Sequence, residues 1–281
     1  NVFMKRLWIL TLFVALPMCL LAQQKTEYNR KVIVSLTSFP ARIDKVWLVV
    51  RGLYEQSVIP DKIILWLSKE QFSNTPLPQN IIKLQDNIFE IKMVDEDIRS
   101  HKKYYYSFLE YPDDFVILID DDLLYHPKMI KSLLDKSLET ENTVICSHGS
   151  ILSYGDNQNL LPFDKRIHIE SECDDQNFFF GSGGGTMFIP SLLYKDCCNK
   201  KIFMNLAPKA DDIWLNAMVR LARLKTYKVN NGILFPVKIE NNQTLCSSNL
   251  GESQNDVQIA NVKKWYMLNL NIDPFKKREY E

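Results

Sequence analysis

The chain has 281 residues, of which 46% are hydrophobic and 24% charged, which is ordinary globular composition with enough length to bury a core. Lysine plus arginine and aspartate plus glutamate each number 34, so the formal net charge is zero. This balance excludes a global basic field for nucleic acid and an acidic tail for a basic partner.

The N-terminal stretch has the pattern of a targeting segment. Lys5 and Arg6 precede an apolar run of about 15 residues, short for a spanning helix, which ends at polar Gln23. Residues 1–28 are therefore predicted to be a signal peptide, a membrane anchor, or sequence upstream of a true start at Met4.

From residue 31 to residue 149, apolar strand-like runs alternate with helical patterns. The predicted strands are 31–36, 61–68, 89–95, 113–122 and 142–149, and the predicted helices are 46–54, 101–111 and 127–138. Strands that alternate with helices predict an α/β domain with a mainly parallel sheet.

The second half is richer in loops. Its predicted elements are a strand over "GTMFIP", a helix over 211–224, a strand pair turning at Asn231 and Gly232, and a helix over 257–268. The cysteines form no C-x-x-C pair, and the four histidines show no metal-ligand spacing and are interpreted as structural.

Three consecutive acids, Asp120, Asp121 and Asp122, stand at the carboxyl end of the clearest predicted strand, "DDFVILIDDD". Ligands of open parallel sheets bind at the carboxyl ends of strands, and alternate residues of an extended chain point to one side. Asp120 and Asp122 could therefore share one Mg²⁺ or Mn²⁺ site. The alternative is a solvated strand end with one acid capping the next helix.

Two further motifs follow in the second half. "GSGGG" contains Gly183 and Gly184, and it either lets backbone approach a ligand or is a flexible connection. "ADD" ends with Asp211 and Asp212 at a helix start, where capping needs only one acid. One of the two is predicted to act as a base or to anchor an acceptor hydroxyl, unless they are only a cap and a dipole partner.

Polar residues near two other predicted elements complete the candidates. The loop after the first strand carries Thr37, Ser38 and Arg42, which could hold the polar atoms of a nucleotide or form an ordinary turn. Lys102 and Lys103 could neutralise phosphate, or could be a solvated pair.

Together, "TSFPARI", "DDD", "GSGGG" and "ADDIWLN" resemble, in their order and spacing, the GT-A glycosyltransferases, including family-2-like and exostosin-like members. The resemblance covers roughly residues 31–224. It implies a single Rossmann-like catalytic domain over 29–281, with a nucleotide-sugar-binding half at 29–150 and an acceptor-binding half at 151–281.

The resemblance also implies a nucleoside-diphosphate sugar donor, a Mn²⁺ or Mg²⁺ ion, and a glycan or lipid-linked saccharide as acceptor. By carry-over from the family, Asp122 binds the metal, Asp120 contacts the ribose or the metal's waters, and Asp121 supports them. Thr37 and Arg42 lie near the nucleotide base.

Asp212 or Asp211 holds or deprotonates the acceptor hydroxyl in this reading, and the sugar moved is a hexose or an N-acetylhexosamine. The stereochemical outcome is open. A bacterial enzyme of this kind would be cytoplasmic or membrane-associated, and a eukaryotic one would lie in the secretory lumen.

Two other classes were compatible with the sequence. A haloacid-dehalogenase-like phosphohydrolase also ends a strand with D-x-D. In that class, however, the motif lies on the first strand, and a threonine or valine usually stands where this chain has Leu124. A non-catalytic carbohydrate-binding protein would have little need for Asp120, Asp122 and Asp212 together.

A chain shortened to begin at Tyr28 should still unfold cooperatively. The polar break at Gln23 and the predicted strand at Lys31 place the targeting-like segment outside the folded core. A sharp thermal transition measured by circular dichroism would agree with this. Aggregation of the shortened chain alone, beside a soluble full chain, would show that the segment belongs to the core.

Overall fold

A computed structural model describes residues 28–237 and 254–279. The chain from Val32 onward forms one compact unit. The targeting-like segment predicted over residues 1–28 lies almost entirely outside the described residues. Among the residues that are described, no helix is both long and apolar enough to cross a bilayer.

A seven-stranded sheet forms the centre of this unit, in the order β11-β6-β10-β4-β1-β2-β3. Six strands are parallel, and β10 runs antiparallel between β4 and β6. The prediction of a mainly parallel α/β sheet is therefore confirmed. The strands are β1 Val32–Thr37, β2 Lys62–Ser68, β3 Phe89–Val94, β4 Phe115–Ile119, β6 Thr143–Cys146, β10 Gly184–Phe188 and β11 Lys225–Lys228.

Eight helices occur in the described ranges, and the longer ones pack on the sheet or on one another. They are α1 Ile43–Tyr54, α2 Lys69–Phe72, α3 Gln79–Ile82, α4 Lys102–Glu110, α5 Met129–Glu139, α6 Lys200–Leu206, α7 Asp211–Leu221 and α8 Gln254–Leu270. All five residues of β4 are buried, as expected of a strand that is covered on both faces.

Two small antiparallel sheets complete the fold. One pairs β5, Leu123–Tyr125, with β12, Ile233–Pro236. The other is built from three short strands in the order β8-β7-β9. These are β7 Gly149–Ile151, β8 Ile167–His168 and β9 Phe178–Phe180.

The predicted strand pair around Asn231 and Gly232 is wrong. Both strands exist, but β11 pairs with β6 in the central sheet and β12 pairs with β5. The turn therefore connects two sheets. A Cβ on Gly232 would lie 2.7 Å from the carbonyl oxygen of Ser147, so close packing against β6 accounts for the glycine.

Strand register brings the sequence motifs together. Ser35 of β1 pairs with Leu118 of β4 in parallel, so the loop after β1 and the acids after β4 leave the sheet side by side. Because β10 is antiparallel, its first residue, Gly184, pairs with Ile119, the last residue of β4. "TSFPARI", "DDD" and "GSGGG" consequently meet at one edge.

Candidate functional site

Lys103, on the first turn of α4, connects two of the acidic motifs. Its Nζ lies 2.8 Å from Oδ1 of Asp120 and 3.0 Å from Oδ2 of Asp211. The lysine side chain is only 5% exposed. A buried ammonium needs such carboxylates, since an unpaired charge there would cost several kcal/mol, by an order-of-magnitude estimate. The alternative of a solvated lysine pair is wrong, because Lys102 is buried as well and paired with Asp97.

Ser182, the second residue of "GSGGG", holds both acids of "ADD". Its backbone N–H donates to Oδ1 of Asp212 at 2.7 Å, and its hydroxyl donates to Oδ2 of Asp211 at 2.7 Å. Ala210 is the N-cap residue of α7 and makes no side-chain cap. Both carboxylates therefore accept hydrogen bonds from Ser182, which lies outside α7. The alternative that one of the two acids caps the helix is wrong.

The two adjacent acids have different electrostatic environments. Burial would raise the pKa of Asp211, but the Lys103 ammonium and the Ser182 hydroxyl act against it and bring that pKa to about 2. Burial and the charge of Asp211 raise the pKa of Asp212 to about 6. Asp211 is therefore a fixed anion near neutral pH, and Asp212 is the carboxylate able to take up a proton.

Arg42 and Ser38, from the loop after β1, hold the other acids. The Ser38 hydroxyl donates to Oδ2 of Asp121 at 2.6 Å, and Nη1 of Arg42 lies 2.9 Å from both Asp121 and Asp122. Burial raises the pKa of Asp121 to about 6, against the opposing effects of Arg42 and Ser38. Asp121 is thus held by Ser38 and Arg42, and its role as support for the other two acids stays a prediction.

The glycines of "GSGGG" make room for protein side chains. A Cβ on Gly183 would lie 2.0 Å from Cγ of Asp120, and one on Gly184 would lie 2.5 Å from Cβ of His148. The Gly183 carbonyl accepts the N–H of Asp120 at 2.9 Å and the hydroxyl of Tyr125. Contact of these glycines with a nucleotide stays a prediction.

Thr37 makes a contact within the sheet. Its hydroxyl donates to the carbonyl oxygen of Trp66 on β2 at 2.8 Å. A role for Thr37 in nucleotide binding also stays a prediction, as does the position of Arg42 near a base.

A cavity of about 270 Å³ opens beside these acids. Its lining residues come from the site itself and from the β7-β8-β9 sheet, the loop before α7 and the first turn of α8. They are Ser100, Lys103, Asp120, His148, Gly149, Ser150, Phe163, Arg166, His168, Phe179, Gly181, Lys209, Ala210, Asp211, Asp212, Ile213 and Asn255. Both motif acids that follow Ala210 thus face one cavity with the first acid of "DDD".

Sequence reasoning missed Ser182, His148 and His168 as candidate residues. The glycines around Ser182 indicate that other atoms lie close to the backbone there, but they do not indicate which atoms these are. His148 and His168 were interpreted as structural because their spacing suits no metal. Both line the cavity, while His101 is fully buried and bonds the carbonyl of Ala207.

The carboxylates at this edge fit a divalent cation shared with a ligand. Residues 120–122 with Asp211 and Asp212 supply five acids, and Arg42 and Lys103 supply two bases, which leaves a net charge of −3 with all ionised. Among the described residues, no group of three or more His, Cys, Asp or Glu side chains could enclose a metal. The side chains of Asp120 and Asp122 are 42% and 22% exposed, so they are the acids that a Mg²⁺ or Mn²⁺ ion shared with phosphate and water could reach.

Comparison with solved structures agrees with this architecture. A mannosyltransferase from Pyrobaculum calidifontis, solved in complex with GDP-Man and Mn²⁺, superposes with a TM-score of 0.54 at 12% identity, covering 88% of this chain and 67% of its own. The chain has a GT-A-type fold. A mycobacterial protein superposes with a TM-score of 0.51 at 15% identity, covering 87% of this chain and 77% of its own.

At these identities the likeness concerns the fold alone. No protein-family model matches the sequence. No curated protein matches it either. A fold of this type supports different reactions, so the chemistry depends on the residues of this GT-A-type domain.

Replacing Gly183 by alanine should displace the Asp120 carboxylate. The new methyl group would lie 2.0 Å from Cγ of Asp120, so the contact between Asp120 and Lys103 cannot persist. We expect the free energy of unfolding to fall by about 1–3 kcal/mol, the usual cost of overpacking, as measured by denaturant titration.

Gly155→Ala is the matched control for this change. Its Cβ would meet only Cδ2 of Leu161 at 3.5 Å, an ordinary contact, so its stability should change by about 0.5 kcal/mol or less. Equal stabilities of the two variants would show that Asp120 does not depend on the absence of a side chain at Gly183.

Proposed function

We propose that this protein is a glycosyltransferase that moves a sugar from a nucleoside-diphosphate sugar to a hydroxyl of a glycan or lipid-linked saccharide, with help from a divalent cation. One observation carries the proposal. Lys103 and Ser182 hold the first acid of "DDD" and both acids of "ADD" beside a single cavity, on a GT-A-type fold.

The donor is proposed to bind at the end of β4. Asp120 and Asp122 would hold Mn²⁺ or Mg²⁺ together with the two phosphates. When bound, the cation would supply Lewis-acid stabilisation of the departing nucleoside diphosphate. Nε of Arg42 is buried and has no hydrogen-bond partner among the described residues. A phosphate or ribose oxygen would satisfy that donor, which supports a nucleotide at this edge.

The acceptor is proposed to react from the cavity. Asp212 would take the proton of the acceptor hydroxyl as the oxygen bonds to the anomeric carbon. The bond from that carbon to the phosphate oxygen breaks, and its electron pair leaves with the nucleoside diphosphate. The pKa of about 6 suits a base that must be ionised near neutral pH. Asp211, Lys103 and Ser182 would fix its position.

The phosphohydrolase alternative is less well supported. It requires Asp120 as a nucleophile on the first strand, whereas here the acids follow the fourth strand and Oδ1 of Asp120 contacts Lys103. Incubation of the protein with nucleotide sugars and Mn²⁺ separates the classes. The transferase releases nucleoside diphosphate, the phosphohydrolase releases phosphate, and a binding protein releases neither.

Asp122→Ala should abolish Mn²⁺-dependent donor binding while leaving the fold intact. The carboxylate is 22% exposed and contacts Arg42, so its loss removes a cation ligand without opening the core. A thermal-shift screen of nucleotide sugars, with and without Mn²⁺, measures this. Asp135→Ala, which removes a surface acid paired with Lys131, is the control. Unchanged donor stabilisation in Asp122→Ala would remove this residue from the metal site.

Asp212→Asn should lower transfer by about 100-fold or more, the scale for losing a positioned base, with donor binding nearly unchanged. In the unsubstituted enzyme, kcat/KM should fall as the pH drops through about 6, because protonation removes the base. This decrease of kcat/KM at acidic pH should be absent in Asp212→Asn. Loss of transfer in Asp211→Asn, with near-normal transfer in Asp212→Asn, would exchange their roles.

A further inference from the structure

The cavity has two chemically different walls. One carries Asp120, Asp211 and Asp212, with Lys103 bound between the first two. The proposed transfer reaction uses all of these. The other wall is cationic and aromatic, and the reaction as described gives it no task. Its residues are Phe163, Arg166, His168, Phe179 and Lys209.

Arg166 is held in a defined orientation on this second wall. Its guanidinium carbon lies 4.0 Å from the centre of the Phe163 ring, and its Nη1 donates to the Phe163 carbonyl oxygen at 2.7 Å. Phe163 in turn packs edge-to-face on Phe179, with ring centres 5.1 Å apart. A planar guanidinium fixed in this way is pre-organised for carboxylate or phosphate oxygens.

Helix α8 anchors both cationic segments. The backbone N–H of Phe163 donates to Oδ1 of Asp256 at 2.8 Å, and the backbone N–H of Lys209 donates to Oε1 of Gln258 at 2.9 Å. Gln258 is only 4% exposed. The segments that carry Arg166 and Lys209 are therefore attached to one helix turn, which fixes the shape of this wall.

The electrostatic environment of His148 agrees with a positive potential at this wall. Packing around the ring, followed by the charges of His168 and Lys228, lowers its pKa below the ordinary value, and Arg166 adds to the effect. Asp120 acts in the opposite direction. The imidazole thus feels charges of both signs from the residues that line the cavity.

We propose that the acceptor carries an anionic group, a phosphate or a carboxylate, which Arg166 and Lys209 bind while Asp212 faces the reacting hydroxyl. Phe163, supported from below by the buried Phe179 ring, would contact an apolar sugar face. This inference rests on the proposed transferase function. Arg166 and Lys209 can bind the anion while they contact other protein groups, because an anion can join or replace such a partner.

The test is direct binding to the full chain in the absence of divalent cations, measured by titration calorimetry. The probes are glucose 6-phosphate, glucuronic acid and the neutral methyl glucoside. At least one anionic probe should bind about tenfold or more tightly than the neutral one, as expected of a charge-assisted hydrogen bond. Added salt should weaken its binding. The two anionic probes distinguish phosphate from carboxylate.

Substitutions of Arg166 and Lys209 test whether the anionic probe binds at this wall. Arg166→Met and Lys209→Met should each weaken the anionic probe by about tenfold, whereas Arg166→Lys should retain part of the affinity. Lys165→Met is the matched control, because Lys165 is 64% exposed, pairs with Asp164 and does not line the cavity. It should bind as the unsubstituted chain does. Thermal unfolding of each variant confirms that it is folded.

Several outcomes would overturn the inference. The first two are equal binding of neutral and anionic probes, and no binding of either anionic probe. The third is an effect of Lys165→Met equal to that of Arg166→Met. The fourth is loss of binding in Asp122→Ala alone, because this would place the probe at the donor edge. Release of nucleoside diphosphate is measured separately. Transfer without anion binding refutes only this inference, whereas anion binding without nucleoside diphosphate release refutes the proposed transferase and leaves an anion site whose ligand is not an acceptor.

Discussion

A buried ammonium group organises this molecule. Lys103 is fixed between Asp120, the residue that follows central strand β4, and Asp211, the first residue of a helix about a hundred positions after the lysine. An ion pair sheltered from water is strong only when both partners stay in place, and loss of one partner typically costs about 3–5 kcal/mol. The lysine therefore links the two halves of the chain at the point where the proposed chemistry occurs. The end of β4 and the cavity beside α7 cannot shift independently without disturbing it.

The same contacts explain how five acids can lie so close together. Arg42 neutralises part of the charge on Asp121 and Asp122, and Lys103 does so for Asp120 and Asp211. The remaining negative charge falls on carboxylates with some access to solvent. The two basic side chains compensate only part of the negative charge of the acids. A bound cation, itself held also by a diphosphate, would compensate more of it. The acidic residues thus form a connected network, and each of them depends on its neighbours.

Much of the fold could be predicted from the sequence, because buried parallel strands are short continuous apolar runs, and "FVILI" is one of them. The direction of β10 and the partner of β12 could not, since pairing depends on contacts between residues far apart in the chain. The acids of the site were visible as motifs. The bridging position of Lys103 was not, because "HKKYYY" reads equally as a solvated helix start, and Ser182 and His148 carry no distinctive spacing.

The antiparallel course of β10 limits how this fold can vary around the site. Ser182 lies just before a strand whose every residue is buried and whose register is fixed on both sides. Inserting or deleting one residue there would turn Met187 and Phe188 to the opposite faces of the sheet. The length of this loop is thus constrained by the core. β8, by contrast, is exposed and pairs only with β7 among the described strands, so the acceptor preference proposed for this protein can change there without a change in β10.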